Sequence, residues 1–186
     1  MKTIIALMLF CVSLRGAETG TNNTVPASTN FQWTVNGKLA GDSAFVKATN
    51  GFGAALFLTE DENFFQEWDK PETPHLRLAS RARRGVPLFT IVTFVDPGQR
   101  PDKTADVKFD ITVKKPDGSV YGEQKDMIGS QYKTDKAAGQ QQIARDYMGI
   151  QIEPEDPAGT YTVEAVVKDN VRKVELHLTH QFTVEK

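Results

Sequence analysis

Cysteine is almost missing from this chain: its 186 residues hold one, Cys11. That residue lies in or beside an apolar run near the start. Once the run is removed no thiol remains, and disulfides, zinc–thiolate sites and cysteine nucleophiles are excluded together. An excess of positive charge is missing as well. Lys and Arg number 22 against 24 Asp and Glu, for a formal charge of -2 and a pI near 5.9. The strongly basic footprint of a nucleic-acid-coating protein is absent, so DNA or RNA is not an expected partner.

Long hydrophobic runs are lacking too. Ile4 to Val12 is a stretch of about nine mostly apolar residues, short of the roughly 20 that a membrane helix needs, and it follows a positive Met1-Lys2. The pattern predicts a signal peptide over residues 1–17, leaving a mature chain with no transmembrane segment. Cleavage is expected after Ala17. Arg15 fits the small-x-small rule poorly, and a cut after Ser13 is the alternative. Phe10 spoils the small-residue context of Cys11, so lipidation is not expected. A cysteine-free exported domain suits a bacterial envelope, and the expected location is periplasmic or secreted. Asn22-Asn23-Thr24 fits the glycosylation pattern, which in a bacterial protein is a chance match.

Cofactor and nucleophile signatures are likewise missing. The chain holds no Gly-x-Gly-x-x-Gly, no phosphate-binding loop and no Gly-x-Ser-x-Gly elbow around Ser43, Ser80 or Ser130. Any carboxylate pair chosen among 24 acidic residues would be arbitrary. No cofactor and no enzymatic activity are expected.

What is present is an ordinary globular composition, 39% hydrophobic with 11 Phe, enough for one core. Residues 18–30 are Thr, Asn, Ser, Gly and Pro with almost no apolar side chain, the composition of a flexible tether. A single domain is expected over residues 31–186. It opens with strand-period alternation at Phe31 to Val35 before an Asn36-Gly37 turn, with Ala44 to Ala48 as the pairing partner. Thr59 and Glu62 fit a capping box. Phe64, Phe65 and Trp68 then share one face of a helix of about two to three turns, ending at Pro71 and packing on a sheet.

Leu88 to Val95 is almost continuously apolar, which predicts a central, buried strand. Val107, Phe109, Ile111 and Val113 alternate with polar residues. After a Pro116-Asp117-Gly118 turn, Ser119 to Lys125 should return antiparallel. Asp126 to Arg145 reads as a loop, Tyr147 to Ile152 as a strand, and Thr160 to Lys168 and Lys173 to Val184 as the closing pair. About seven strands at this spacing predict a mainly β fold, an antiparallel β-sandwich with one short helix.

Two segments carry a resemblance: Lys115-Pro116-Asp117-Gly118-Ser119-Val120, and Asp156-Pro157-Ala158-Gly159-Thr160-Tyr161-Thr162-Val163-Glu164-Ala165 with its following hairpin. They resemble the closing strands of bacterial immunoglobulin-like and macroglobulin-like domains, in which a Gly-x-Tyr begins a late strand. The likeness covers about residues 105–186. It implies an immunoglobulin-like sandwich and a role in adhesion, spacing or protein binding, and it assigns no functional residue.

The densest positive feature is Arg77, Arg81, Arg83 and Arg84, able to grip an acidic partner through bidentate contacts or else to pair with Glu60, Asp61, Glu62, Glu67 and Asp69. It is the candidate partner-binding surface. His177 and His180 stand three apart, which on a strand sends them to opposite faces and keeps them from sharing a metal; His75 adds nothing to that case. Glu60-Asp61-Glu62 and Glu153 with Glu155-Asp156 lack calcium-loop spacing. Phe52, Phe57, Phe64, Phe65 and Trp68 serve either as core or as a sugar-stacking surface. The expected function is a non-enzymatic exported interaction module that meets another envelope or extracellular protein through sheet edges, the Arg77 to Arg84 segment or the long Asp126 to Arg145 loop. The alternative is a small-ligand or glycan-binding sandwich with its pocket between helix and sheet.

Overall fold

The computed structural model describes residues 34–35, 38–39, 41–70, 76–134 and 138–186. The expected signal peptide and tether, residues 31–33 and His75 lie outside them. In chain order the strands are β1 (Thr34–Val35), β2 (Lys38–Leu39), β3 (Val46–Thr49), β4 (Phe52–Thr59), β5 (Arg81–Ala82), β6 (Leu88–Val95), β7 (Val107–Lys114), β8 (Val120–Ser130), β9 (Gln142–Ile143), β10 (Gly149–Ile150), β11 (Gly159–Asp169) and β12 (Val174–Val184), with one helix, α1 (Phe64–Trp68). β1 and β2 pair on either side of Asn36-Gly37. The rest form two five-stranded sheets. In one, β3, β4 and β6 lie side by side and both β9 and β10 line the far edge of β6; the other runs β5-β12-β11-β7-β8. The fold is the expected β-sandwich.

The second sheet follows from period-two patterning. Val107, Phe109, Ile111 and Val113 of β7 and Tyr161, Val163, Ala165 and Val167 of β11 are fully buried, while their neighbours Asp110, Lys114, Glu164 and Lys168 form cross-strand ion pairs on the outer face. The first sheet differs because both its faces are covered. Phe52, Ala54, Leu56 and Leu58 of β4 and Leu88, Val92 and Phe94 of β6 face the other sheet. Ala55, Phe57, Ile91 and Val95 face outward and meet Val46, Phe64 and Leu76 in a second core. This explains why Leu88 to Val95 reads as unbroken apolar sequence. Each fully buried large side chain contributes about 1.5–3 kcal/mol.

Several sequence expectations need correction. Residues 46–49 pair with β4 rather than with the first strand, through Asn50 and Gly51 at φ 49° and 76°. A two-residue loop with both centres left-handed is the hairpin turn that matches strand twist. α1 spans only five residues and its N-cap is Asn63, with no side-chain cap bond. The Thr59 hydroxyl is engaged elsewhere, donating to the Arg77 carbonyl at 2.8 Å and accepting from the Asp61 amide. β8 continues to Ser130 through what reads as loop. Bulges opposite β7, with Asp126 at φ 56°, let the strand run on past a solvent-facing polar stretch. The strand expected at Tyr147 to Ile152 is only the two-residue β10, and β9 lies within what reads as the Asp126 to Arg145 loop.

Those two pieces form the seam between the sheets. Between them Ala144 N–H donates to Val92 O at 2.8 Å and Met148 O accepts from Thr90 N–H at 2.9 Å, keeping the path against β6. Residues 145–147 swing out to the other sheet. There Arg145 and Asp146 N–H donate to Gly129 O and Ile128 O of β8, and Asp146 Oδ2 accepts from Ile128 N–H at 2.7 Å. On the opposite side a strap closes the sandwich: Ala79 N–H donates to Leu58 O, and Thr183 N–H to Ser80 O.

Candidate functional site

The strap carries the four candidate arginines, and the structure gives them different roles. Arg84 Nη1 donates to the carbonyls of Glu153 and Asp156 at 2.7 and 2.9 Å, tying the strap to the loop before β11. It is a strut. Arg83 holds Glu60 through Nε at 3.3 Å and Nη2 at 2.7 Å, the paired geometry suited to a guanidinium. Arg81 meets Glu185 at 2.6 Å with its side chain 74% exposed. Arg77 is exposed and has no side-chain partner among the described residues.

Beside the strut, the Tyr121 hydroxyl lies 2.6 Å from both Gln151 O and Asp156 Oδ2, and Asp156 also accepts from the Glu153 amide at 2.8 Å. The Tyr121 hydroxyl and the Glu153 amide hold the Asp156 carboxyl below the usual carboxylate range. Burial, and then that carboxylate, push Tyr121 above its ordinary value. Tyr161, fully buried, donates to Pro157 O four residues back at 2.9 Å and stacks on Phe182 at 5.2 Å. This is the tyrosine corner seen in Greek-key sandwiches.

The seam forms a second surface, built where the two ends of the Asp126 to Arg145 segment meet. Gln124, Lys125, Asp126 and Met127 on one side and Arg145, Asp146 and Tyr147 on the other line an open groove of about 470 Å³. Tyr147 is 44% exposed, and its ring meets Phe64, Phe65 and Phe89 at 5.2, 5.6 and 5.7 Å, all edge-to-face. Of the five aromatics singled out in sequence, Phe52, Phe57 and Phe64 are core, and Phe65 and Trp68 pack partly buried against the outer core. The missed residues are Phe89 and Tyr147. A tyrosine amid Arg145, Asp146 and Met148, interrupting a short strand, was the available signal.

The other candidates do not converge. His177 is exposed and pairs with Glu175 at 3.1 Å, whereas His180 turns inward against Phe45 at 5.3 Å and burial lowers its pKa. Asp61 caps the Asn63 amide at 3.0 Å, and Ser43 and Ser130 have buried hydroxyls with no hydrogen-bond partner among the described residues. Among those residues no three His, Cys, Asp or Glu side chains form a group able to hold a metal, and no helix is long and apolar enough to cross a membrane.

Two packed sheets, antiparallel except for the short parallel pairing of β5 with β12, closed by a strap and a seam define the class, a β-sandwich module. No family model matches the chain, and no curated protein matches it. Among solved structures it is similar to a family 123 glycoside hydrolase from Clostridium perfringens, at 12% identity and a TM-score of 0.44 over 73% of this chain. The chain spans 27% of that enzyme's length. It is also similar to the PKD domain of an M14-like peptidase from a Thermoplasmatales archaeon, at 20% identity and a TM-score of 0.29, over 58% of this chain and 88% of that one.

Proposed function

We propose that this chain is a non-enzymatic, exported β-sandwich module that recognises another envelope or extracellular protein through the arginine-bearing strap. The observation that supports this reading is the outward display of Arg77 and Arg81 beside Arg83 on one closing segment of the sandwich. Exposed ion pairs such as Arg81–Glu185 are worth roughly 0–1 kcal/mol, so an acidic partner can take over these guanidinium groups at little cost. Arg84 is left out of the tested set because its Nη1 bonds to two main-chain carbonyls give it a structural role as well.

The test is a crosslinking pull-down of the tagged full chain from its native envelope, run beside an Arg77→Glu/Arg81→Glu/Arg83→Glu variant of equal melting temperature. Recovery of one specific protein by the wild type alone is the expected result. Background capture by both forms would overturn the reading.

A further inference from the structure

The seam groove carries an inference independent of the strap: we infer that it is a saccharide-binding site, with Tyr147 as the stacking platform and Gln124, Asp126 and Arg145 as the hydrogen-bonding rim. A pyranose offers an apolar C–H face and a belt of hydroxyls. It therefore needs a rigid exposed ring beside polar side chains with spare capacity. Tyr147 meets the first need, since three edge contacts fix its orientation while 44% of it stays exposed. Its hydroxyl has no partner among the described residues. The Gln124 amide also has no partner among them, and Asp126 is 77% exposed with a lone ion pair to Lys108 at 3.6 Å. Arg145 spends only its Nε, on Asp146 at 3.0 Å. The groove volume of about 470 Å³ lies within the range of roughly 300–1,000 Å³ for small-molecule sites.

Two other occupants fit less well. An extended peptide would pair with the outer edge of β8, but the register of β8 breaks opposite Phe109 and Ile111, Asp126 is left-handed, and Glu123, Lys125 and Asp126 place charges along the edge. These are the devices that blunt an edge strand against pairing. A wholly apolar ligand needs an enclosed, apolar pocket, whereas this groove is open and polar-rimmed.

The experiment uses an immobilised array of bacterial-wall, plant and animal oligosaccharides, probed with the full chain and with Tyr147→Ala, Tyr147→Phe and Gln124→Ala. Hits are titrated by saturation-transfer NMR. The wild type should hold at least one saccharide, and Tyr147→Ala should weaken it by about tenfold. Gln124→Ala should weaken it about threefold and Tyr147→Phe by less. The triple strap variant should bind the same sugar as well as the wild type does, so failure of the protein-recognition reading leaves this result standing. If removing the Tyr147 ring lowers the melting temperature, Gln124→Ala, on an exposed residue, decides. The inference is overturned if the folded wild type binds no arrayed saccharide at millimolar concentration, or if sugar binding ignores both Tyr147→Ala and Gln124→Ala. Capture of a peptide ligand lost in Tyr147→Ala would also overturn it, in favour of a peptide groove.

Discussion

The Asp169 carboxylate, buried at the end of β11, accepts a hydrogen bond from the Gly98 amide at 2.6 Å across 71 residues of sequence. Its other oxygen accepts from the amides of Val171 and Arg172 at 3.0 Å, and Arg172 reaches on to the carbonyls of Asp96 and Asn50. One buried acid thus fastens the turn of the last hairpin to the loop leaving β6. Asp169→Ala would strand three amides without an acceptor and should cost about 3–5 kcal/mol. Urea unfolding should show a lower midpoint at unchanged slope. A loss below about 1 kcal/mol would mean that water replaces the carboxylate.

Gly159 opens β11 at φ 137°, and a Cβ there would stand 2.8 and 2.9 Å from Cγ and Cβ of Pro116. Gly159→Ala meets backbone strain and a clash with a rigid ring together, so a loss of about 2–4 kcal/mol is expected. Adding Pro116→Gly, which removes both clashing carbons, should relieve the clash and leave the strain at residue 159. A double-mutant cycle with no coupling would show that the two segments do not touch as described.

Tyr161→Phe removes the bond to Pro157 and keeps the stack on Phe182. The expected loss is about 1–2 kcal/mol, while Tyr161→Ala, which empties a fully buried site, should cost about 3–5 kcal/mol. Thermal melts of the two variants would separate corner from core.

Asp156 and Tyr121 give opposite pH signatures. The folded carboxyl has a lowered pKa, so its contribution is present above the unfolded value near 3.9 and is lost as pH falls through the folded one. The folded phenol has a raised pKa, so its contribution is present below about pH 10 and is lost as pH rises through the folded value. Tyr121→Phe should remove the phenol's part of the alkaline loss, and it should shift the midpoint of Asp156 upward when followed by NMR. An unchanged carboxyl titration would mean that Glu153 alone holds the Asp156 charge.

Much of the sandwich could be read from local sequence because its signals are local. Alternation in β7, β11 and β12, the Pro116-Asp117-Gly118 turn and the Gly-x-Tyr that opens β11 each depend on a few neighbouring residues. The unbroken apolar run of Leu88 to Val95 announced burial on both faces, and the aromatic helix that covers one of them was visible as well. Helix length was not, because Thr59 spends its hydroxyl on Arg77, 18 residues away, instead of on a cap.

The site divides in the same way. The sequence by itself determined that four arginines crowd one segment, that the thiol lies near the apolar run, and that His177 and His180 face apart. Only the tertiary structure decided that Arg84 is a strut and Arg81 a surface charge, since their partners lie 72 and 104 residues along the chain. It alone brought Tyr147, which lines the groove, against Phe64, Phe65 and Phe89. Those rings come from α1, β6 and the seam, and packing between the elements, which no local pattern encodes, places them together.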